Sequence, residues 1–403
     1  MGADIMGSRD GLQRRRTPGS GRAWLKWLPA VTASAVIAAG TLAGSIPARA
    51  GDPLPEKTPA QVIALMGSHQ SQTFSGTLEQ SSELGLPELP ATGPTSGPVS
   101  AGGAASVMEL LTGEHTARIF MDGKTKVRFQ MVDRMAERDV IRNGNDVWFY
   151  TSKDNSTAHL TLPAFASDLP LPEPPQHAAP VVPTPQEIAE RFLAKADPST
   201  AVSVGADVEV AGRAAYRLVL EPRTEATLVG KVEIAVDGGT GMPLSVQVAA
   251  RGAGEPAFQS GFTRLSLEAP DQSLFAFVPP PGSAVKELQL PPETRWPLSS
   301  GFPGIPGMVI PQEHLDGYED LDRPAVTGSG WETVVEVQVP ATAAANLDEA
   351  LRQDPLLSQA AVVVPGGRLL SSSLVTVLLT DDGRIFAGMV PPERLQAAAS
   401  AAP

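Results

Sequence analysis

Residues able to carry acid–base or metal chemistry are scattered along this chain rather than grouped. Its five histidines, His69, His115, His159, His177 and His314, form no His-x-x-x-His pair. The chain contains no cysteine with which a histidine could share a zinc ion. The sequence therefore predicts no zinc site and indicates no cofactor.

Three further polar stretches each match a functional motif only in part. Residues 319–322 (Glu-Asp-Leu-Asp) carry oxygen ligands suited to a hard cation, but we interpret them as an exposed acidic turn. The serines at 371–373 lie in a strand pattern without the Gly-x-Ser-x-Gly motif of a serine hydrolase. Residues 301–307 are rich in glycine but broken by proline, and no helix follows that could hold a phosphate. These patterns predict a protein that is not an enzyme.

Apolar residues at β-strand spacing are the clearer signal. Residues 114–162 are typical of four short strands in a row. Within 126–131 the alternation is clean, with Val127, Phe129 and Met131 on one face and polar residues on the other. Residues 147–150 are instead apolar on both faces, because Val147 and Phe149 alternate with two aromatic residues. Either a helix or a bound apolar molecule must therefore cover each side of the sheet.

Two helices are the candidates for this cover. A Thr-Pro pair starts each one, at Thr58 and Thr184, and an apolar stripe follows each pair. Strands are predicted over residues 73–80, 204–210, 214–220, 230–236, 244–249 and 262–267, with a tight turn at 237–241. About ten strands joined mostly by short turns indicate a strongly curved antiparallel sheet in an α+β fold.

Proline-rich stretches divide the chain. Long loops are predicted over residues 85–103 and 164–185. We predict a larger domain over residues 51–285, a Pro/Gly-rich linker over 286–311 and a small C-terminal α+β domain over 312–403. The last domain is predicted to contain a strand at 331–339, a helix at 347–357, a hairpin around 381–383 and a helix from Pro392.

The first fifty residues have the pattern of an export signal. Basic residues precede an uncharged run over 28–46, and Ala48-Arg-Ala50 has the form of a cleavage site. Ordinary secretion with cleavage is the favoured prediction, and a retained membrane anchor over residues 28–46 is the alternative. The protein is thus expected to be periplasmic, otherwise extracytoplasmic or membrane-anchored.

The net charge of the chain restricts the classes of partner that it is expected to bind. The formal net charge is −13, and removing residues 1–50 leaves 24 Lys or Arg against 42 Asp or Glu, or −18. Such an acidic surface does not favour nucleic acid or anionic lipid headgroups. Without cysteine, the exported chain must be stabilised by packing rather than by disulfides.

Two segments carry a resemblance to a known family. Residues 143–150 (Asn-Gly-Asn-Asp-Val-Trp-Phe-Tyr), preceded by Val-Arg-Phe at 127–129, resemble the central hairpin of the LolA/LolB lipoprotein-carrier superfamily, which includes RseB/MucB-type periplasmic regulators. Residues 274–282 (Leu-Phe-Ala-Phe-Val-Pro-Pro-Pro-Gly) are similar to its closing strand. The resemblance covers about residues 56–287. It implies an unclosed β-half-barrel whose concave face holds acyl chains beneath helical lids. The carriers' Arg-Pro pair is replaced here by Asp-Gly-Lys at 122–124, so their lid-locking arginine has no equivalent in this turn.

If the half-barrel binds a ligand, residues in phase along its strands should line an apolar pocket. The predicted lining residues are Val127, Phe129, Met131, Val147, Phe149, Val232, Ile234, Val246, Val248, Leu265, Phe275 and Phe277. A filled hydrophobic core beneath the helices would give the same alternation.

Three functions follow from these patterns. The first is an exported carrier or chaperone that binds lipid or the acyl chains of a lipoprotein. The alternative is an RseB/MucB-like regulator that binds the extracytoplasmic part of a membrane anti-sigma factor. A secreted hydrolase is the third, and no polar cluster supports it.

Overall fold

The computed structural model describes residues 53–69, 72–85, 113–132, 137–162, 183–193, 199–288, 325–338, 358 and 360–401. They form one sheet of thirteen strands, a second of six, and three α-helices. In the described part of the chain no helix has the length and apolar character needed to cross a bilayer. The predicted export signal lies outside these residues.

The larger sheet is antiparallel at every junction except one. In chain order its strands are β1 (Thr73–Ser82), β2 (Gly113–Asp122), β3 (Lys126–Val132), β4 (Glu137–Asn143), β5 (Asp146–Thr151), β6 (Ser156–Thr161), β7 (Thr200–Val204), β8 (Val208–Val210), β9 (Arg213–Pro222), β10 (Val229–Asp237), β11 (Pro243–Ala250), β12 (Pro256–Ser266) and β13 (Ala284–Leu288). Their spatial order is β13-β6-β5-β4-β3-β2-β1-β12-β11-β10-β9-β7, with β8 also paired to β9. The sheet is curved and unclosed, as the sequence predicts. Only β13 runs parallel to its neighbour, β6.

The middle of the sheet is formed by β1 and β12, which lie far apart in sequence. Their register shifts between Thr77 and Leu78, and such irregularities bend a strand. Gly76 lies directly beneath Phe262: a Cβ at this position would approach the Phe262 ring to 2.7 Å. The absence of a side chain at residue 76 therefore allows Phe262 to pack across β1, where its ring also meets Phe74 edge-on.

Both predicted lid helices form, and each begins with the same reciprocal cap. In α1 (Pro59–Gly67) the Gln61 N–H donates to Thr58 Oγ1, and Thr58 N–H donates to Gln61 Oε1. In α2 (Pro185–Leu193) Thr184 and Glu187 make the equivalent pair of bonds. Each cap satisfies backbone donors that a helix start leaves without an intrahelical partner.

The core of the larger sheet consists of two apolar clusters. The first joins both helices to the inward residues of β9 to β12, including Leu218, Ile234 and Val246. The second lies mainly along β1 to β6, including Leu78, Phe129 and Val147. The helices thus pack directly against one part of the sheet.

The second sheet is built from the C-terminal region. Its strands are β14 (Ala325–Thr327), β15 (Val334–Gln338), β16 (Ala361–Val364), β17 (Gly367–Ser371), β18 (Thr376–Thr380) and β19 (Arg384–Gly388), in the spatial order β14-β15-β19-β18-β17-β16. The helix α3 (Pro392–Ala401) follows and packs on β18 and β19. The predicted hairpin around residues 381–383 and the helix from Pro392 are both present.

Several local predictions need correction. Residues 113–161 contain five described strands rather than four, and residues 200–210 form two strands, β7 and β8, rather than one. The expected closing strand at 274–282 is wrong: residues Gln272–Phe275 form a 3-10 turn, and β13 begins only at Ala284. The prolines at 279–281 explain this, because they have no N–H to donate to a sheet.

In the C-terminal region, the strand expected from Trp331 instead begins at Val334, after a short 3-10 turn. The predicted helix over 347–357, the glycine-rich stretch 301–307 and the acidic stretch 319–322 lie outside the described residues.

Candidate functional site

A groove lies between the two lid helices. Its volume is about 310 Å³. The apolar part of its wall comes from Ile63 and Met66 of α1, Leu193 of α2, and Pro243 at the start of β11. Gly67, His69, Gln186 and Glu190 complete the lining. We call the four apolar side chains the floor of the groove and the polar ones its rim.

The apolar stripe of each helix divides its residues between the core and the groove. On α1, Val62 points into the core, and Ile63 and Met66 reach the groove. On α2, Ile188 and Phe192, four residues apart, are buried on the sheet side. These core residues hold both helices against the sheet.

Hydrogen bonds along the rim link the helices to each other. His69, just beyond the end of α1, places Nε2 3.1 Å from Oε1 of Gln186 in the first turn of α2. The Gln186 amide in turn donates to Glu190 Oε1 at 2.9 Å. Because the amide nitrogen of Gln186 is the donor to Glu190, its oxygen is left to accept from the histidine. The rim thus carries one carboxylate, from Glu190, and neither Lys nor Arg occurs among the described residues that line the groove.

The turn between β10 and β11 packs against the last turn of α1. Gly241 has φ +78°, and a Cβ there would lie 2.3 Å from the carbonyl oxygen of Leu65. A side chain at residue 241 would therefore displace the last turn of α1. The turn is held by Asp237, whose carboxylate accepts from Arg213 Nε at 2.6 Å and from the Thr240 N–H at 2.6 Å.

The protonation of Asp237 reflects these contacts. Burial alone would raise the pKa of the Asp237 carboxyl, but the hydrogen bonds from Arg213 and Thr240 outweigh burial and hold the pKa below its usual range. The same contact raises the pKa of the Arg213 guanidinium. Asp237 is therefore a charged structural residue of the turn.

The twelve residues predicted to line a pocket separate into three groups. Val232, Ile234, Val246 and Val248 are buried in the cluster beneath the helices. Phe129, Met131, Val147 and Phe149 are buried in the second cluster, and Leu265 packs against it. Val127 is half-buried on the same face of β3 as Phe129, and Phe275 and Phe277 lie after β12. None of the twelve belongs to the wall of the groove between the helices, and their contact with a ligand stays a prediction.

Phe277 packs against the second apolar face of strand β5, the face that carries Trp148 and Tyr150. Its ring lies 5.5 Å from that of Trp148 and 5.9 Å from that of Tyr150, on the face opposite Val147 and Phe149. Trp148 also stacks on His159, with ring centroids 3.9 Å apart. The residues after β12 thus contact this face. Phe277 therefore lies on the opposite side of β5 from Val147 and Phe149, although the sequence predicted it to line the same pocket.

We call residues 271–288 the strap, because they cross this face and then extend the sheet as β13. Arg128 donates to the carbonyl oxygen of Leu274 at 3.3 Å, and Asn155 donates to that of Pro281 at 3.4 Å. The Thr157 and Ser283 hydroxyls are 2.5 Å apart, and His159 Nδ1 lies 2.9 Å from Glu287 Oε2. The strap is therefore held by polar contacts along its length.

An ion pair with a buried carboxylate lies beneath the strap. Arg128 Nη2 is 2.5 Å from Oδ2 of Asp139, and the Asp139 side chain is 3% exposed. Burial raises the pKa of the Asp139 carboxyl and outweighs the opposing effect of Arg128. Since Arg128 also donates to the strap, we interpret the Arg128–Asp139 pair as a structural feature that holds the strap on the sheet.

Among the described residues, no three His, Cys, Asp or Glu side chains come together in a way that could hold a metal ion. His69 lies at the groove, His115 is buried in β2, and His159 contacts Asp146 and Glu287. His177 and His314 are outside the described residues. Ser372 stabilises the turn between β17 and β18, because its hydroxyl accepts a hydrogen bond from the Val375 N–H.

The polar rim of the groove was not predicted from the sequence. In the sequence His69 is a candidate only for a metal ligand, and Gln186 and Glu190 belong to no functional motif. Their four-residue spacing on α2 places them on one side of the helix, on a different face from Ile188 and Phe192. That second stripe is the signal that could have identified them.

Comparisons with known proteins give structural matches only. No protein-family model matches the sequence, and a search of curated proteins finds no match. The complex of MucA and MucB from Pseudomonas aeruginosa matches at 15% identity and a TM-score of 0.40, over 85% of this chain and 96% of that one. A LolA superfamily protein from Nitrosomonas europaea matches at 10% identity and a TM-score of 0.20, over 55% of this chain and 99% of that one.

A third match is a putative outer membrane lipoprotein-sorting protein domain from Vibrio parahaemolyticus. It has 10% identity and a TM-score of 0.19, over 54% of this chain and 94% of that one. The matched structures therefore include MucB and the LolA superfamily. These are the kinds of protein that the sequence resembles.

Proposed function

We propose that this is an exported, non-enzymatic envelope protein that binds an acyl chain of a lipid or lipoprotein, as carrier or chaperone, in the groove between α1 and α2. The observation that carries the proposal is the apolar floor formed by Ile63, Met66, Leu193 and Pro243 in a cavity of about 310 Å³. Ligand sites typically enclose about 300–1,000 Å³ and are lined mainly by apolar side chains with a few polar groups. The groove has this composition.

The size and charge of the groove restrict its ligand. Its volume lies at the lower end of the range for ligand sites, which suits one acyl chain better than the several chains of a lipoprotein anchor. The rim offers the Glu190 carboxylate, the Gln186 amide and His69, and no Lys or Arg lines the part of the groove that the structure describes. The described residues of the groove wall therefore give an anionic headgroup no cation to pair with.

A binding role also accounts for the charged residues better than catalysis does. Asp139 and Asp237, two buried carboxylates with shifted pKa values, are each paired with an arginine. Asp139 lies beneath the strap and Asp237 in a turn, and neither is part of the groove wall. In an enzyme such pKa shifts would be expected around the cavity.

The sheet residues beneath the helices have a second role in this proposal. Val232, Ile234, Val246 and Val248 are buried against α1 and α2, so they form the base on which the groove rests. They would contact an acyl chain only if a helix moved away from the sheet. The groove residues are therefore the first to test.

Binding is tested on the protein from residue 51 onward by titration with parinaric acid, an intrinsically fluorescent fatty acid. Ile63→Trp would fill the groove and is expected to lower affinity at least about tenfold, which corresponds to about 1.4 kcal/mol. Val278→Trp, at a residue 80% exposed and outside the groove wall, is the matched control and should bind like the wild type. Circular dichroism checks that both variants are folded.

Native mass spectrometry of the purified protein provides an independent test. Co-purifying lipid would support the proposal. A clean protein that also takes up no parinaric acid would contradict it, as would an Ile63→Trp variant that is folded and binds with unchanged affinity.

One observation favours the alternative function, a regulator that binds the extracytoplasmic part of an anti-sigma factor. The strand β16 ends the order of the second sheet among the described residues, and Val362 and Val363 are 59% and 69% exposed. An exposed edge of this kind is suited to pairing with an extended segment of another protein. Capture of a membrane anti-sigma factor by the wild type but not by Val363→Lys would support this function.

A further inference from the structure

The C-terminal region contributes three buried side chains, Trp331, Leu374 and Met389, to the core beneath the lid helices, and Trp331 packs on α2. Trp331, in the 3-10 turn before β15, is 1% exposed. Its ring stacks on that of Phe192 with centroids 5.9 Å apart and planes inclined by 23°. Its indole N–H donates to the Thr200 hydroxyl at 2.7 Å. Trp331 therefore contacts both α2 and the first residue of β7.

Phe192 connects this contact to the groove. It is adjacent in sequence to Leu193, which belongs to the groove wall, and it lies on the same nine-residue helix as Gln186 and Glu190. An aromatic stack contributes attraction beyond the area that it buries. A change in the position of Phe192 would thus move one wall of the groove.

Other contacts fix the second sheet relative to the first. The carbonyl oxygen of Met389 accepts from the Thr227 hydroxyl at 2.7 Å and from the Leu228 N–H at 2.9 Å. The Ser373 N–H donates to the carbonyl oxygen of Leu84 at 2.9 Å. These bonds hold the C-terminal sheet to the larger sheet at two separate places. The backbone at Trp331 therefore has a fixed position where the side chain packs against α2.

We propose that Trp331 is a positioning residue for the groove, so that the second sheet sets the place of α2 and with it the affinity for the ligand. The proposal rests on the proposed function of the groove as an acyl-chain site. In this arrangement Trp331, held by the C-terminal sheet, packs against the core side of α2. Removing its side chain lets α2 shift on the larger sheet, although every residue of the groove wall is still present.

The test compares four variants of the full mature chain, with parinaric acid as the probe. Trp331→Ala is expected to lower affinity at least tenfold. Trp331→Phe keeps an aromatic ring against Phe192 and should recover affinity to within about threefold. Thr200→Val removes only the hydrogen bond to the indole and should also stay within about threefold.

Leu378→Ala is the control for a purely structural effect. Leu378 is buried in the second sheet's own cluster, away from α2, so its truncation should lower the melting temperature without changing affinity. Equal affinities of Trp331→Ala and Leu378→Ala would overturn the proposal. Hydrogen exchange of the α2 amides gives a second readout, and it should be faster in Trp331→Ala than in Leu378→Ala.

The two measurements separate this inference from the proposed function. If the wild type takes up no fatty acid, the binding function fails, and the hydrogen-exchange comparison still decides whether Trp331 positions α2. If the wild type binds and both variants exchange their α2 amides equally fast, Trp331 has no positioning role.

Discussion

Arg128 and Asp139 form an ion pair between neighbouring strands, with Nη2 and Oδ2 2.5 Å apart and the aspartate almost fully buried. The pair lies on the side of β3 and β4 that the strap crosses, where Arg128 also donates to the Leu274 carbonyl. The Arg128 guanidinium thus has two roles: it neutralises a buried carboxylate and it holds the strap.

The first prediction concerns the pH dependence of this pair. The pKa of Asp139 is raised in the folded protein, chiefly by burial, so the folded state binds a proton more tightly than the unfolded chain does. The stabilisation from this proton is fully present below the unfolded pKa of about 3.9 and is lost as pH rises through the raised folded-state pKa. Asp139→Asn should therefore flatten the pH dependence of the unfolding free energy above about pH 4. Urea denaturation at several pH values measures this.

Loss of Arg128, the partner of Asp139, should lower the unfolding free energy more than loss of the Asp139 charge does. Arg128→Ala leaves the Asp139 carboxylate buried without its counterion and is expected to cost about 3–5 kcal/mol at neutral pH. Adding Asp139→Asn to this variant should restore a large part of the loss. Additive effects of the two substitutions would show that the residues are not coupled.

The second prediction concerns Asp237, whose pKa shift has the opposite sign. Its carboxyl pKa is lowered in the folded protein, because hydrogen bonds from Arg213 and Thr240 outweigh burial. Its contribution to stability is present above the unfolded pKa of about 3.9 and is lost as pH falls through the folded-state pKa. Asp237→Asn should cost about 1.5–3 kcal/mol at pH 7, in line with hydrogen bonds to a charged group, and much less below pH 3. A cost independent of pH would contradict this assignment.

The third prediction uses two glycines with the same backbone conformation. Gly241 and Gly252 have φ +78° and +79°, but only at Gly241 would a Cβ meet another element, the Leu65 carbonyl of α1. Gly252→Ala should cost about 1–2 kcal/mol from backbone strain alone. Gly241→Ala should cost more and should also weaken parinaric acid binding, because α1 must move. Similar effects of the two substitutions on binding would show that this turn does not set the position of α1.

The fourth prediction tests the strap. Phe277→Ala removes the ring that contacts Trp148 and Tyr150, and it should lower the unfolding free energy by about 1–3 kcal/mol. Val278→Ala, at the neighbouring exposed residue, should change stability by less than about 0.5 kcal/mol. Tryptophan fluorescence should shift to longer wavelength in the first variant only. Unchanged emission from Phe277→Ala would indicate that the strap does not shield Trp148.

Local signals in the sequence were sufficient for the helices and turns. Thr58 and Thr184 each precede a proline, and each caps a helix where the sequence places it. The turn at residues 237–241 and the alternation of Val127, Phe129 and Met131 are also as predicted, because both depend on the conformation of a few neighbouring residues.

The pairing of distant elements could not be predicted in the same way. Alternation assigns a face only within a strand, and Phe277 lies in a segment that forms none, so its contact with Trp148 had no sequence signal. The groove depends on two helices more than one hundred residues apart in sequence. Neither helix indicates on its own that His69 will meet Gln186.

The short length of the lid helices determines how the groove can open. Each has nine residues, and isolated helices shorter than about 12–15 residues are only marginally stable in water. A lid lifted away from the sheet would therefore lose its helical structure rather than swing as a rigid body. Admission of a ligand would then be a local order–disorder transition, with an energy cost set by the hydrogen bonds and apolar contacts of a single nine-residue segment.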